Sequence, residues 1–285
     1  MPDISLPSLS ITPVSPAIGA RVEGLDLARP LSDAEAAALE RALVTHQVLF
    51  FENQPLTPAA QRAFAARFGS LHVHPVYPNV PEQPEIMVLD TGPHNVTDND
   101  VWHTDVTCIE TPPAIVALSG KRIPPNGGDT VWASNIAAYN GLSEPLRRLL
   151  DPLTALHDFT KSFPEWRHSG DPETHARWRA ARDRHPPVTH PVVRVHPVSG
   201  AKALFVNENF TARIVGLSDR ESAAILDLLF DHVSRPEFTV RWRWKADDLV
   251  LWDNRSTQHY AVNDYLPHSR LMHRATVLGD RPVGP

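Results

Sequence analysis

Proline interrupts this chain 28 times in 285 residues. Each proline fixes φ and removes a backbone donor, so it breaks helix interiors and is confined in sheets to edges, bulges and strand ends. A chain punctuated this densely favours short extended segments joined by turns over a helical bundle. The hydrophobic pattern agrees. Val48-Leu49-Phe50-Phe51 is an unbroken apolar run of strand length, expected to be buried on both faces. Residues 238–244 alternate, with Val240, Trp242 and Trp244 on one side and Arg241 and Arg243 on the other, as in an antiparallel strand with one wet face. Residues 86–89, 192–206 and 249–252 also read as strand, and residues 269–278 alternate again. The expected class is mainly β with flanking helices.

The helices announce themselves by their starts. Ser32-Asp33-Ala34-Glu35 and Ser218-Asp219-Arg220-Glu221 are capping boxes. The first opens a helix with Leu39 and Leu43 inward, the second a helix through Ile225, Leu228 and Leu229. Thr57-Pro58 starts another, with proline at its first position and Gly69 at its end. Residues 134–150 read as helical, broken at Pro145, and Asn126-Gly127-Gly128-Asp129 reads as the tight turn of a hairpin. Without a lysine, that glycine pair is no phosphate loop. Residues 159–191 are polar, rich in Arg and His, and broken by Pro164 and Pro172. They read as a lid-like insertion with a short helix near residues 174–184, and Phe163 and Trp166 are available to close over something. No repeat or linker divides the chain, so a single domain over residues 1–285 is expected.

Charge and cysteine content exclude several classes. Net charge is -6 with a pI near 6.2. No basic run exceeds two residues, which argues against nucleic acid or an anionic membrane as partner. Cys108 stands alone, so no intrachain disulfide can form, and it reads as a small core residue. The first residues lack the basic start and apolar core of a secretory signal, and no apolar run is long enough to cross a bilayer. A cytoplasmic location is the expectation.

The chemistry is concentrated in two distant stretches. In Val101-Trp102-His103-Thr104-Asp105-Val106, an extended backbone would project His103 and Asp105 from one face. With 15 histidines, about one His-x-Asp is expected by chance, so alone it fits a hydrogen-bonded structural histidine better than a ligand. Downstream, Trp252-Asp253-Asn254 leads to His259 and then to Arg270 and Arg274. Two histidines and one carboxylate leave metal positions open, the ligand set of non-haem Fe(II) oxygenases. Arg270 and Arg274 share a strand face, about 13 Å apart. Either they pair with acids on an outer face or they face a cavity that binds two anionic small molecules. His72 and His74 share a face if that segment is extended, and otherwise belong to a histidine-rich surface loop.

Several blocks together resemble the Fe(II)/2-oxoglutarate dioxygenases of the taurine dioxygenase family. They are His72-Val73-His74-Pro75-Val76-Tyr77-Pro78, Asp98-Asn99-Asp100, Trp102-His103-Thr104-Asp105-Val106-Thr107, Gly127-Gly128-Asp129-Thr130, Asp264-Tyr265-Leu266-Pro267 and Met272-His273-Arg274-Ala275-Thr276. The resemblance runs over nearly the whole chain. It implies a double-stranded β-helix (jelly-roll) core, with His103, Asp105 and His259 holding Fe(II). It implies that Arg270 and Thr130 bind the distal carboxylate of the cosubstrate 2-oxoglutarate, with O2 as the other cosubstrate. Arg274 and His74 would hold the sulfonate of the substrate, Tyr77 and Asn99 would lie near its amine, and Phe163 and Phe210 would pack along its carbon chain. The implied substrate is taurine, oxidised to sulfite and aminoacetaldehyde with succinate and CO2. The alternative within the family is another alkylsulfonate, an alkyl sulfate or a carboxylated substrate. A homo-oligomer, dimer or tetramer, is also implied. From other classes, a jelly-roll metal-binding protein without oxygenase activity and a zinc hydrolase stay open, although the hydrolase gives Arg270 no role.

Overall fold

Val48–Phe51 is buried at all four positions because its sheet is covered on both sides. In the computed structural model, which describes residues 9–74, 77–95 and 99–285, this strand lies within an eight-stranded sheet. The order is Ser10–Pro13, Ala20–Glu23, Val48–Phe51, Leu249–Asp253, Ile115–Arg122, Arg270–Val277, Gln83–Thr91 and Asn79–Val80. Its pairings are antiparallel except that of Ala20–Glu23 with Val48–Phe51. A three-stranded sheet, ordered Thr239–Trp242, Thr130–Ser134 and Thr257–Ala261, faces it across a shared core. A second three-stranded sheet (Thr211–Ile214, Thr154–His157, Val188–Pro191) and the hairpin of Val193–Val195 with Lys202–Leu204 complete the described strands. The architecture is mainly β with flanking helices, and among the described residues no helix is long and apolar enough to cross a membrane.

Period-two geometry sorts the side chains of the large sheet between two cores. Leu49, Phe51, Ala117, Leu251, Ala275 and Val277 pack outward with Leu39 and Leu43 of the Asp33–His46 helix and Phe64 of the Pro58–Ala65 helix. Val48, Phe50, Val116, Leu118, Val250, Trp252 and Met272 point inward, against Trp132, Val240 and Trp242 of the facing sheet. Phe50 stacks on Trp242 at 4.3 Å and meets Trp132 edge-on at 5.8 Å, so aromatic contacts join the two sheets. Arg270 and Arg274 alternate with Met272 and therefore also look inward. That places two guanidinium groups beside the inter-sheet core.

Both capping boxes form with both reciprocal hydrogen bonds, at Ser32 with Glu35 and at Ser218 with Glu221. Thr57 caps the helix that Pro58 opens, and a short 3-10 turn carries it to Gly69. The Asp219–Val233 helix buries Leu229, but Leu228 is 48% exposed because it falls beyond the edge of the apolar stripe. The 134–150 segment breaks earlier than Pro145. One helix ends at Gly141, and Pro145 lies in the first turn of the next, Glu144–Leu150, where its missing N–H costs nothing.

Three expectations are corrected. The Asn126-Gly127-Gly128-Asp129 turn is not a hairpin, since Ile115–Arg122 and Thr130–Ser134 belong to different sheets. It carries the chain across the core, with Gly127 and Gly128 both in the left-handed region at φ 74 and 70. His103 and Asp105 are not on a continuous strand either. A single bridge pairs His103 with His259, and the chain turns at once, with Val106 at φ 52. Cys108, three residues past Asp105, is buried, as expected of a core residue, and its thiol is pushed up to about 12 by burial. The insertion ends before residue 188, because Val188–Pro191 pairs with Thr154–His157. It contains Phe159–Ser162, Glu165–Arg167 and the Pro172–Arg184 helix. The motif positions Pro75, Val76 and Asp98 lie outside the described residues.

Candidate metal and anion site

The two distant histidines are joined through their backbones. The His103 N–H donates to the His259 carbonyl at 3.0 Å, and the His259 N–H returns the bond at 2.8 Å. One residue on, the Thr104 hydroxyl donates to the Thr257 carbonyl at 2.7 Å. This stitching sets the two imidazoles 4.1 Å apart, centroid to centroid. Asp105 Oδ1 lies 3.8 Å from His103 Nε2 and 3.9 Å from His259 Nε2, and the potential ligand atoms of all three lie within 4.8 Å of one another.

Their protonation suits a divalent cation. His103 Nδ1 donates to the Val101 carbonyl at 2.7 Å, which leaves the Nε2 lone pair facing the other two residues. Burial pushes His259 well below its ordinary value, so it is a neutral donor. Burial opposes ionisation of Asp105, but the Arg274 guanidinium beside it outweighs burial, and the carboxyl is held at about 2. Two imidazole nitrogens and one anionic oxygen, gathered in a buried pocket, can hold a first-row divalent metal.

Two cations flank this group. Arg270 is only 7% exposed. Its Nη2 donates to Thr130 Oγ1 at 3.3 Å, and its guanidinium lies 5.6 Å from the ring centre of Trp244. The Trp244 indole also donates to Thr130 Oγ1, at 3.0 Å. Among the described residues no carboxylate lies within 4.0 Å of Arg270, and its buried Nε has no hydrogen-bond partner. Burial lowers Arg270 to about 10, so it is a cation at neutral pH. The Gly127-Gly128 turn lets the backbone pack on it: a Cβ at Gly128 would lie 3.3 Å from Arg270 Cδ. Arg274 Nη1 donates to Asp105 Oδ1 at 3.0 Å, and Nη2 lies 2.8 Å from Oδ2 as an ion pair.

One cavity gathers Asn99, His103, Thr130, His259, Arg270 and Arg274, with Leu89, Leu118, Trp252 and Ala261 as its apolar wall. Asp105 adjoins it through Arg274. His74, Tyr77, Phe163 and Phe210 do not line this cavity. His74 is held down to about 4 by burial and then by the charge of Arg274, and it packs on Tyr77 at 4.8 Å, so this pair stands beside the cavity. Phe163 stacks on Phe159 at 4.7 Å within the insertion, and its carbonyl accepts from the Trp178 indole. Trp166 is 72% exposed. Phe210 is buried, and its backbone ties Asn207 to Asp158. Sequence reasoning passed over Trp244 and Trp252. The alternation of Val240, Trp242 and Trp244 does announce the inward face of Trp244, but nothing in the pattern announces its contact with Arg270.

A family model described as "Taurine catabolism dioxygenase TauD, TfdA family" matches residues 10–276. The chain belongs to this family. It is 42% identical to a protein of Pseudomonas putida named alpha-ketoglutarate-dependent sulfate ester dioxygenase, over 97% of this chain and 91% of that one. It is 39% identical to an alkylsulfatase of Acinetobacter baylyi, over 94% and 84%. A solved structure of a taurine dioxygenase from Burkholderia xenovorans superposes with a TM-score of 0.84 at 40% identity, over 98% and 92%. As a member of the TauD/TfdA family the protein is a 2-oxoglutarate-dependent dioxygenase, and its reaction uses Fe(II), 2-oxoglutarate and O2. These relatives carry names for a sulfate ester dioxygenase, an alkylsulfatase and a taurine dioxygenase, so they do not single out taurine.

Proposed function

We propose that this TauD/TfdA-family dioxygenase hydroxylates the carbon bonded to the ester oxygen of an alkyl sulfate. His103, Asp105 and His259 hold Fe(II); Arg270 and Thr130 bind the distal carboxylate of 2-oxoglutarate; Arg274, with His74 beside it, anchors the substrate anion. The observation that carries this reading is the pair of inward guanidiniums on one strand, flanking the two-histidine, one-carboxylate cluster. A buried cation without a carboxylate partner, as at Arg270, carries a desolvation cost that a bound anion would offset. Thr130 and the face of Trp244 hold that guanidinium in place before an anion arrives.

When bound, Fe(II) couples the oxidative decarboxylation of 2-oxoglutarate by O2 to hydroxylation of a C–H bond, yielding succinate and CO2. The chain's part is placement. With the sulfo head at Arg274, beside Asp105, the carbon next to that head is brought toward the metal. The apolar wall of Trp252, Leu118 and Leu89 suits an alkyl chain and keeps the reaction dry. The hydroxylated carbon then collapses to an aldehyde as its hydroxyl proton leaves: in an alkyl sulfate the C–O bond to the sulfate breaks and releases sulfate, whereas in a sulfonate the C–S bond breaks and releases sulfite.

The sulfate-ester reading is supported by the names of two relatives and by the cavity wall. Among the described lining residues there is no carboxylate to receive the ammonium of taurine, and Asn99 is neutral. The second reading, taurine itself, is favoured by the 40% identity to a taurine dioxygenase. We further propose a double-stranded β-helix core in a single domain over residues 1–285, with the insertion from residue 159 as a lid and assembly into a homo-oligomer. A panel of straight-chain alkyl sulfates, taurine, longer sulfonates and aryloxy acids separates the substrate readings. Each is incubated with Fe(II) and 2-oxoglutarate, and sulfate, sulfite and succinate are measured together. Sulfate released one for one with succinate from an alkyl sulfate is the expected result. Succinate formed only with a carboxylated substrate overturns it.

A further inference from the structure

The ligand Asp105 sits where the chain leaves its single bridge to His259 and turns, with Val106 forced into the left-handed region that β-branched residues avoid. No strand ladder continues through Asp105 to hold it. Its backbone is held by the side chain of Asn254, which is 1% exposed. Asn254 Oδ1 accepts the Asp105 N–H at 2.9 Å, and Asn254 Nδ2 donates to the Asp105 carbonyl at 3.2 Å. The second Nδ2 hydrogen donates to the Pro113 carbonyl at 2.9 Å, and the Asn254 N–H donates to the Ala114 carbonyl at 2.9 Å.

We propose that Asn254 is the positioning residue that aims the Asp105 carboxylate at the metal. The inference rests on reading His103, Asp105 and His259 as the metal ligands. In the register that pairs His103 with His259, Thr257 stands opposite Asp105, but its carbonyl accepts the Thr104 hydroxyl and no backbone bond joins it to Asp105. The Asn254 amide supplies the missing rung with an acceptor and a donor side by side. By fixing the two peptide groups on either side of the Asp105 Cα, it fixes the direction of the Cα–Cβ bond. That sets how far the carboxylate stands from the imidazoles. Aspartate in its place keeps one bond and turns an acceptor toward two carbonyl oxygens. Serine keeps neither span. Asn254 touches neither substrate nor metal and acts through Asp105 alone.

The test compares Asn254→Asp and Asn254→Ser with Gln61→Leu. Gln61 is equally buried and loses two hydrogen bonds, to the carbonyls of Ala117 and His273, on the helix-covered side of the large sheet. Mn(II) affinity is measured by calorimetry, the Co(II) visible spectrum reports coordination geometry, and each unfolding midpoint is read with and without Mn(II). The Asn254 variants are expected to bind Mn(II) about 10–100-fold more weakly, as losses around metal ligands typically do, and to show altered Co(II) bands. Gln61→Leu should lower the metal-free midpoint and keep wild-type affinity and spectrum. The proposal is overturned if the Asn254 variants bind within about twofold of wild type with an unchanged Co(II) spectrum. It is overturned equally if Gln61→Leu loses as much affinity. A wild-type protein that binds neither metal instead removes the ligand assignment itself, an outcome distinct from both.

Discussion

Replacing Arg270 with methionine should make the ligand-free protein no less stable while it nearly abolishes the response to 2-oxoglutarate. Burial lowers this guanidinium from its usual 12.5 to about 10. At 1.36 kcal/mol per unit of pKa, holding it charged in its pocket costs about 3 kcal/mol. Arg270→Met removes that penalty and loses the hydrogen bond to Thr130 and the contact with Trp244, which offset part of the gain. For the bound anion the sign reverses, since breaking a buried charge pair costs about 3–5 kcal/mol, at least roughly 10²-fold in Kd. Thermal unfolding in Mn(II), with and without 2-oxoglutarate, reads both effects. At 100 times the wild-type Kd the cosubstrate stabilises by about 2.7 kcal/mol, roughly 5 °C for a chain of this size. At the same concentration the variant should shift by less than about 1 °C. A variant that keeps the wild-type shift would show that the carboxylate is bound elsewhere and would refute the reasoning.

Arg274→Ala should cut kcat/KM on an alkyl sulfate by roughly 10²–10³-fold in steady-state assays. Because the same guanidinium grips both Asp105 oxygens, metal affinity should fall as well, whereas Arg274→Lys restores charge without the two-armed geometry and should recover only part of each. Gly127→Ala should lower Tm by a few degrees and raise the KM for 2-oxoglutarate. The added Cβ would sit 2.4 Å from Asp264 Oδ1 at a φ of 74, disturbing the carboxylate that accepts the Gly128 N–H. Far from the site, Arg29 and the Ser32 backbone and hydroxyl hold Glu35 at about 2, below its usual 4.5. A depressed carboxyl stabilises the fold above its unfolded value and loses that contribution as pH falls through its folded one. Glu35→Gln should therefore cost about 1 kcal/mol at pH 7, the usual worth of a helix cap, and the gap to wild type should narrow as the pH falls below about 4.5.

What the sequence makes legible here is whatever depends on short-range periodicity. The alternation through Arg270, Met272 and Arg274 announces that both arginines share a face, and Met272 in the inter-sheet core shows that face to be the inward one. The capping boxes are equally local, and both form. The site's finer parts depend on contacts between residues far apart in the chain. Asp105 was expected on a strand because His-x-Asp suits period two, yet its amide is bound by Asn254, 149 positions away. The Gly127-Gly128 pair carries a hairpin's composition, but its neighbours belong to different sheets, which only the three-dimensional pairing decides. The fate of Phe163 was hidden for a similar reason: an aromatic in an insertion can close over a cavity or stack on its own segment, and here it stacks on Phe159.

The central claim is that one cavity holds Fe(II), 2-oxoglutarate and a sulfur oxoanion together. Anaerobic visible absorption tests it most directly. Adding 2-oxoglutarate to the Fe(II)-loaded protein should produce a charge-transfer band, and a subsequent alkyl sulfate should shift or sharpen that band as it settles at Arg274. A protein that takes up Fe(II) and shows no such band, or a band that alkyl sulfates and sulfonates leave unmoved, would contradict the account.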